Sequence, residues 1–468
     1  MRFAFRCLLL LVCVLLVAPL PLSAQSATPL PIAAQAAPAP ASSTTATASS
    51  GASQPGSPAQ AYTLSPDKLA RAIALTRIRN ILDIAGSVWG IVFLWLLLSL
   101  RGWSRIEAWA QRRSPRRWMQ GAWFFFAFFL LTWLAALPLD LIGHHFERSF
   151  QISVEGWASW FADEGKALAL TLVVGTLVLL FFHWIVRKWP RRYWFGVWLV
   201  TLPLLVLSIF VEPLIEPLFF QFQPLSRNYP ALVQELEKVV ARTGTDIPPD
   251  RMFLMLASEK TNGLNAYVTG LGVTKRIVVW DNTAGRIPDD EILFIFAHET
   301  GHYVLNHIPK MIAGYAAGLF FVYWGCSAFA AWLIRRFGAR WGALDPEHAS
   351  GSKPAELALA SRTGFVVLLF TVSIAAFLLE PAGNAFSRHF EHQADVYGQE
   401  AIHGIVPDPQ KTAVAAFNDL GKAWLDDPDP NPLIEFWLSS HPSTQARANF
   451  ALHYNPWANG GHGKYFIQ

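Results

Sequence analysis

The chain has 468 residues and a formal net charge of +4. Hydrophobic residues make up 53% of it and charged residues only 15%, whereas soluble domains carry about 25% charged residues. This composition excludes a set of ordinary soluble domains and predicts an integral membrane protein. The basic residues cluster in short loops and form no single patch, so we expect no nucleic-acid partner. Two of the three cysteines, Cys7 and Cys13, lie in the N-terminal segment, which excludes a disulfide framework.

The N-terminus has the layout of an export signal. Arg2 and Arg6 precede an unbroken apolar run, residues 7–18, which is followed by prolines and small residues. This pattern predicts a signal peptide over residues 1–24; a retained signal anchor is the alternative, because Leu22 fits the cleavage pattern poorly. Residues 25–62 are rich in Ala, Ser, Thr and Pro and are predicted to be a disordered tether, because they bury too little apolar surface to fold.

Six stretches free of charged residues are long enough, or nearly so, to cross a bilayer, which takes about 20 apolar residues. They are residues 84–100, 118–139, 167–186, 193–211, 311–334 and 363–379. Four of these spans form an N-terminal membrane domain over residues 63–215, and the other two lie within residues 311–380. We therefore predict a mainly α fold, a polytopic membrane bundle of about six transmembrane helices with a small α+β zincin-like catalytic domain.

The charges of the short loops predict the orientation of the spans. Arg and Lys dominate three loops, which are residues 101–117, 187–192 and 335–362. Loop 140–166 is mainly acidic. Counting spans from cytoplasmic basic loops places two polar segments, 216–310 and 381–468, together on the non-cytoplasmic side. An exported N-terminus requires the same arrangement, and we expect a multi-pass protein of the plasma (inner) membrane.

The first polar segment contains an HExxH pattern. Residues 288–308 carry apolar side chains at helical spacing and predict a helix that is capped near Pro288. His298 and His302 lie four residues apart, so their imidazoles project from one helix face and can bind a single tetrahedral zinc ion. Glu299 can reach a metal-bound water without being a ligand, as a general base does. Segment 216–310 is thus the predicted metallopeptidase domain.

The second polar segment supplies the candidate third ligand. The run NAFSRHFEHQADVYG predicts a helix that ends before Gly398. Glu391 is the proposed ligand, and Asp395, one turn later, can accept the free N–H of a ligating imidazole. Arg388 is expected to be structural, either orienting Glu391 or pairing with Asp395. The alternative is an amphipathic helix end with ordinary charge pairs. Segment 381–468 is thus the predicted C-terminal part of the catalytic domain.

The HETGH pattern, followed after two spans by SRHFEHQAD, resembles the type I CAAX prenyl protease family, integral-membrane zinc peptidases. EPLIEPLFFQFQPL, NAYVTGLGVTKRIVVWDNT and SSHPSTQAR resemble the family as well, so the similarity spans roughly residues 80–450. It implies one Zn²⁺ per chain, held by His298, His302 and Glu391, with Glu299 as general base. It also implies a large water-filled chamber walled by the transmembrane helices.

The resemblance also implies further site residues. Asn265, Ala266 and Tyr267 match an edge strand that binds substrate backbone, which strand addition would explain; an ordinary strand and turn is the alternative. His441 matches a catalytic-site histidine that can donate a hydrogen bond to an oxyanion; an incidental loop histidine is the alternative. For His183, within the third span, we expect a satisfied hydrogen bond between helices.

The predicted function is that of a zinc metalloendopeptidase embedded in membrane lipid and acting on a peptide or protein. Whether a lipid-modified substrate is recognised stays open, because eukaryotic members face the cytosol whereas the loop charges place this site outside. A broad-specificity protease of the heat-shock type, acting in quality control of envelope proteins, is the alternative. A non-catalytic scaffold or channel would lack an intact metal site.

Overall fold

The computed structural model describes residues 61–344 and 354–466. The predicted signal peptide and nearly all of the tether lie outside the described residues. Within the described residues the fold is a helical bundle with one small sheet. The helices are α1 (Pro66–Ser99), α2 (Gly102–Arg113), α3 (Arg117–Ser149), α4 (Trp157–Lys188, with a π-helical turn at Thr171–Gly175), α5 (Tyr193–Ile215), α6 (Leu225–Asn228), α7 (Pro230–Thr243), α8 (Asp281–Arg286), α9 (Asp289–Val304), α10 (His307–Trp341), α11 (Pro354–Leu359), α12 (Arg362–Ala401), α13 (Pro409–Trp424), α14 (Pro432–Leu438) and α15 (Thr444–His453).

Six of these helices are long and apolar enough to cross a membrane, as predicted: α1, α3, α4, α5, α10 and α12. Large apolar side chains stay exposed on their outer surfaces, for example Leu177, Phe321 and Trp324. A soluble protein would bury most of them, whereas a lipid-facing surface requires them. The bundle interior is packed with aromatic rings, including the fully buried Phe124 and Phe125.

The sheet has four strands, β1 (Phe222–Pro224), β2 (Met252–Met255), β3 (Ala266–Thr269) and β4 (Arg276–Trp280). Their order is β1-β2-β4-β3; β2 and β4 are parallel, and the two outer strands are antiparallel to their neighbours. β3 is therefore an edge strand. A separate core joins the sheet to α7, α9 and α13, with the rings of Phe294 and Phe417 at a centroid distance of 5.2 Å.

Helix α12 joins the membrane bundle to the polar segment 381–468. It runs without interruption for 40 residues, so the sixth span and the Glu391 region form one helix. The prediction that the helix ends before Gly398 is wrong. A Cβ atom at Gly398 would lie 2.9 Å from the backbone nitrogen of His298, so this glycine permits close helix packing instead of ending the helix.

Helix α9 begins after Pro288, as expected, but it is shorter than the predicted range of 288–308. It ends at Val304, and Asn306 then adopts the left-handed conformation, with φ of 55°. Asparagine tolerates this conformation better than most residues. The turn at Asn306 starts α10 in a new direction at His307.

Candidate active site

His298 and His302 on α9 face Glu391 on α12. One ligand atom from each of the three side chains lies within 4.8 Å of the other two. The Nε2 atoms of the two histidines are 3.3 Å apart. Glu391 Oε2 is 3.4 Å from His298 Nε2, and Glu391 Oε1 is 3.6 Å from His302 Nε2. The two helices thus bring the three predicted ligands together.

Two glycines allow α9 and α12 to approach this closely. Added Cβ atoms would lie 3.0 Å from the Cα of His298 at Gly398, and 3.0 Å from the ring of Tyr397 at Gly301. Real Cβ atoms rarely come so near another heavy atom. The close crossing sets how far Glu391 lies from the two imidazoles.

The chemistry of the three side chains fits a divalent metal. Oε2 of Glu391 is buried and, among the described residues, has no hydrogen-bond partner. Burial alone would raise the pKa of Glu391, but the imidazoles of His441, His298 and His302 hold it well below its usual range. An ionised carboxylate beside two imidazole nitrogens is the donor set of many catalytic zinc sites.

Asp395 lies behind the first histidine. Its Oδ1 is 2.9 Å from His298 Nδ1, so it can accept the proton on the ring nitrogen that points away from the ligand cluster. Arg447 on α15 donates to both carboxylate oxygens, Nε to Oδ2 at 3.0 Å and Nη2 to Oδ1 at 2.6 Å. Burial would raise the pKa of Asp395, but Arg447 and His298 lower it, and the carboxylate stays ionised.

Arg388 does not lie beside Asp395. Its Nη1 donates to the carbonyl of Ser439 at 2.5 Å, and its guanidinium lies over the ring of Phe436. It therefore holds the end of α14 and the start of the loop that carries His441. Arg447 has the role of pairing with Asp395, and sequence reasoning missed it. The only indication of Arg447 in the sequence was its place at the end of the run SSHPSTQAR, 52 residues beyond Asp395.

Glu299 lies between the ligand cluster and the edge strand. Burial raises its pKa to about 7, and the backbone N–H of Val268 donates to its carboxylate. Tyr303 donates to the carbonyl of Val268 at 3.2 Å. Val268 therefore turns its backbone groups away from β4 and toward α9.

The same alternation places the backbone of Ala266 on the open edge of β3. The carbonyl of Asn265 accepts a hydrogen bond from Trp280 N on β4, and its N–H donates to the hydroxyl of Thr283 on α8, so Asn265 and Tyr267 direct their backbone groups to the β4 side of the strand. Ala266 and Val268 point the opposite way. The Tyr267 side chain leaves the site, because its hydroxyl donates to Glu216 at 2.6 Å.

His441 lies at the edge of the cluster. Its Nε2 is 3.4 Å from Glu391 Oε2, and its Nδ1 is 2.9 Å from the hydroxyl of Ser440. Burial lowers the pKa of His441. The more distant His183 has a satisfied hydrogen bond, as expected, but its partner lies in the turn between α11 and α12 and not in a helix: Nε2 is 3.1 Å from the carbonyl of Ala360.

Comparisons with known proteins agree with this architecture. The sequence model of peptidase family M48 matches residues 226–455. The model of the CAAX prenyl protease N-terminal region, which has five membrane helices, matches residues 52–221. The uncharacterized metalloprotease YhfN of Bacillus subtilis is 33% identical over 397 residues, which cover 84% of this chain and 87% of that protein.

CAAX prenyl protease 1 of Saccharomyces cerevisiae is 32% identical over 185 residues, which are 39% of this chain and 40% of that protein. The crystal structure of S. mikatae Ste24p has the same fold, with a TM-score of 0.68 over 83% of this chain and 89% of that chain at 23% identity. This chain therefore belongs to the CAAX prenyl protease family of M48 peptidases and is a multi-pass membrane metalloprotease.

Proposed function

We propose that the chain is a zinc metalloendopeptidase in which His298, His302 and Glu391 hold one zinc ion and Glu299 is the general base. The observation that carries this proposal is the convergence of three ligand side chains, of which His298 and Glu391 are buried, beside the Glu299 carboxyl group that accepts a hydrogen bond from the edge strand β3. A scaffold or channel would have no need of this arrangement.

Zinc in such a site supplies Lewis acidity, polarising the scissile carbonyl and making water more acidic. Glu299 takes the proton of the attacking water and returns it to the leaving amine. A pKa of about 7 suits both steps, because the group must gain and lose a proton near neutral pH. The Val268 N–H orients the carboxylate that does this.

The substrate is proposed to bind as an added strand along β3. The outward N–H and C=O of Ala266 supply main-chain hydrogen bonds, and Asn265 and Tyr267 hold this edge in place through β4. His441 is proposed to donate a hydrogen bond to the oxyanion, since its Nε2 lies beside Glu391, at the edge of the ligand cluster. Strand addition reads the backbone, so it accepts many peptide sequences.

Glu299→Gln tests the chemistry. The variant is expected to keep about one zinc per chain and to lose turnover of a fluorogenic peptide by about 10²- to 10⁴-fold. Glu391→Ala is the companion variant and is expected to lose the zinc. Full turnover in Glu299→Gln would overturn the assignment of the general base. A wild-type protein that does not bind zinc would overturn the assignment of the metal.

We also propose that residues 63–215 form the membrane domain and that segments 216–310 and 381–468 form one catalytic unit, with the two spans of residues 311–380 between them. The basic loops support a non-cytoplasmic site. Lys411 on α13 has an exposed side chain, 84%, and suits a labelling test. In a background without Cys7, Cys13 and Cys326, Lys411→Cys should react with an impermeant maleimide on intact cells.

Arg191→Cys is the matched control, because Arg191 is also exposed, 65%, and lies in a predicted cytoplasmic loop. It should react only after permeabilisation. The reverse pattern would overturn the proposed orientation. A non-cytoplasmic site favours exported proteins as substrates, including the misfolded envelope proteins of a quality-control protease. Equal turnover of a prenylated peptide and its unmodified form would support exported proteins as substrates and would contradict a specificity for prenylated substrates.

A further inference from the structure

The two histidines of the cluster have different partners on their outer nitrogens. His298 Nδ1 faces the carboxylate of Asp395. His302 Nδ1 faces another imidazole instead, with His307 Nδ1 at 3.2 Å. His307 is completely buried, and its ring lies against Phe390 at a centroid distance of 4.7 Å. Burying a polar imidazole is unfavourable unless its nitrogens are hydrogen-bonded, so the contact of His307 with a candidate metal ligand calls for an explanation.

The pairing depends on the turn between α9 and α10. On a continuous helix, a residue five positions after His302 would point about 140° away from it around the helix axis. Here α9 ends at Val304 and Asn306 adopts φ of 55°, so His307 turns back toward His302. Helical spacing alone does not predict this contact.

The contact continues to α12. His307 Nε2 is 3.1 Å from Gln393 Oε1, and Gln393 Nε2 is 2.8 Å from His389 Nε2. Gln393 and His389 lie two residues on either side of Glu391. A line of polar groups thus connects one predicted ligand on α9 to the helix that carries another.

The proton positions along this line follow from the chemistry of imidazole. A neutral His302 that offers Nε2 to a metal carries its proton on Nδ1 and must donate to His307 Nδ1. His307 then carries its proton on Nε2 and donates to the Gln393 carbonyl oxygen. The Gln393 amide in turn donates to His389. Every contact along the line then has one donor and one acceptor.

We propose that His307 and Gln393 are positioning residues that hold His302 in the orientation and tautomer needed for metal binding. This inference rests on the proposed function. In it, His307 does for His302 what Asp395 does for His298, with a neutral acceptor in place of an anion. Groups that orient ligating histidines commonly change metal affinity by about 10- to 100-fold when they are removed.

Two substitutions of His307 separate positioning from packing. His307→Leu removes the acceptor, and its zinc affinity should fall by about 10- to 100-fold. His307→Asn places a carbonyl oxygen near the position of Nδ1, so its affinity should stay within about threefold of wild type. Affinity is measured on the purified full-length protein in detergent, by competition with a chromophoric chelator. The visible spectrum of the Co²⁺-loaded protein should change in the Leu variant alone.

The matched control is His403→Leu. His403 stacks on Trp457 at the far end of α12, and its replacement should leave zinc affinity unchanged. Wild-type zinc stoichiometry is measured first, because a protein that binds no zinc contradicts the proposed function and not only the role of His307. Zinc affinity of His307→Leu within threefold of wild type would overturn the inference. Equal weakening in the Leu and Asn variants would do the same.

Gln393→Leu keeps the test available if His307→Leu does not accumulate in membranes. It leaves His307 in place but removes the acceptor that fixes its tautomer. Zinc affinity should fall by at least threefold, less than in His307→Leu. An unchanged zinc affinity in Gln393→Leu would show that Gln393 has no positioning role, and it would contradict the proposed line of hydrogen bonds.

Discussion

Gly398→Ala should loosen the metal cluster without touching any of its members. An alanine Cβ at this position would lie 2.9 Å from the backbone nitrogen of His298, 3.0 Å from its Cα and 3.2 Å from its Cβ. Ordinary contacts begin at 3.4 Å, so α12 and α9 must separate by about 0.5 Å to restore ordinary van der Waals distances. The obstructing atoms are mostly backbone, so a rotamer change cannot relieve the clash.

Two opposing terms set the stability change. Alanine in place of glycine stabilises a helix by about 1 kcal/mol. Overpacking a close contact costs about 1–3 kcal/mol, and rigid backbone on the other side favours the upper half of that range. We expect a net loss of about 1–2 kcal/mol. Metal affinity should suffer more, because ligand distances tolerate only about 0.2 Å and Glu391 moves with α12.

The assay is the apparent Tm of the purified protein with chelator, together with zinc affinity by competition. Gly165→Ala is the matched control, because Gly165 lies in a helix and a Cβ there meets no atom within 4 Å. It should stabilise the protein by up to about 1 kcal/mol and leave zinc affinity unchanged. If Gly398→Ala matches wild type in both measurements, glycine is not required for the helix crossing.

Three further outcomes follow from other contacts. Arg447→Met leaves the Asp395 carboxylate buried without its cation and should cost about 3–5 kcal/mol; adding Asp395→Asn should recover part of the lost Tm, and no recovery would contradict the pairing. Burial raises the pKa of Glu291 from 4.5 to about 7, so the folded state binds that proton more tightly and loses stability as pH rises from 4.5 to 7. Glu291→Gln should therefore raise the free energy of unfolding at pH 8 by at most about 3 kcal/mol, seen as a higher Tm, and have little effect at pH 4, whereas an equal effect at both pH values would refute the pKa argument. Tyr267→Phe removes the hydroxyl that donates to Glu216 and should cost about 1–2 kcal/mol while kcat/KM stays within about twofold, since the Tyr267 side chain points away from the site and the main-chain contact with substrate is proposed for Ala266.

Local patterns in the sequence were sufficient for the membrane spans and for the HExxH helix. Hydropathy over some 20 residues reports whether a helix faces lipid, and the six spans are present. The one-turn spacing of His298 and His302 places both imidazoles on one face of any helix. The same reasoning placed Asp395 one turn beyond Glu391, and its contact with His298 follows once the two helices meet.

The tertiary structure decided which side chains from distant segments contact one another. Arg388 and Arg447 are both cations within the motif runs, yet only the position of α14 directs Arg388 to Ser439, and only the docking of α15 brings Arg447 to Asp395. Gly398 resembles a helix stop in the sequence, because its need for space arises from α9 and not from its own neighbours.

The sequence by itself therefore determined which residues are proposed as metal-binding and catalytic groups and which helices are long and apolar enough to cross a membrane. These properties depend on side-chain chemistry and on helix periodicity within a few residues. The tertiary structure alone decided which group supports which ligand, including the contact between His302 and His307. Such contacts depend on one left-handed residue and on the crossing of two helices, which no local pattern encodes.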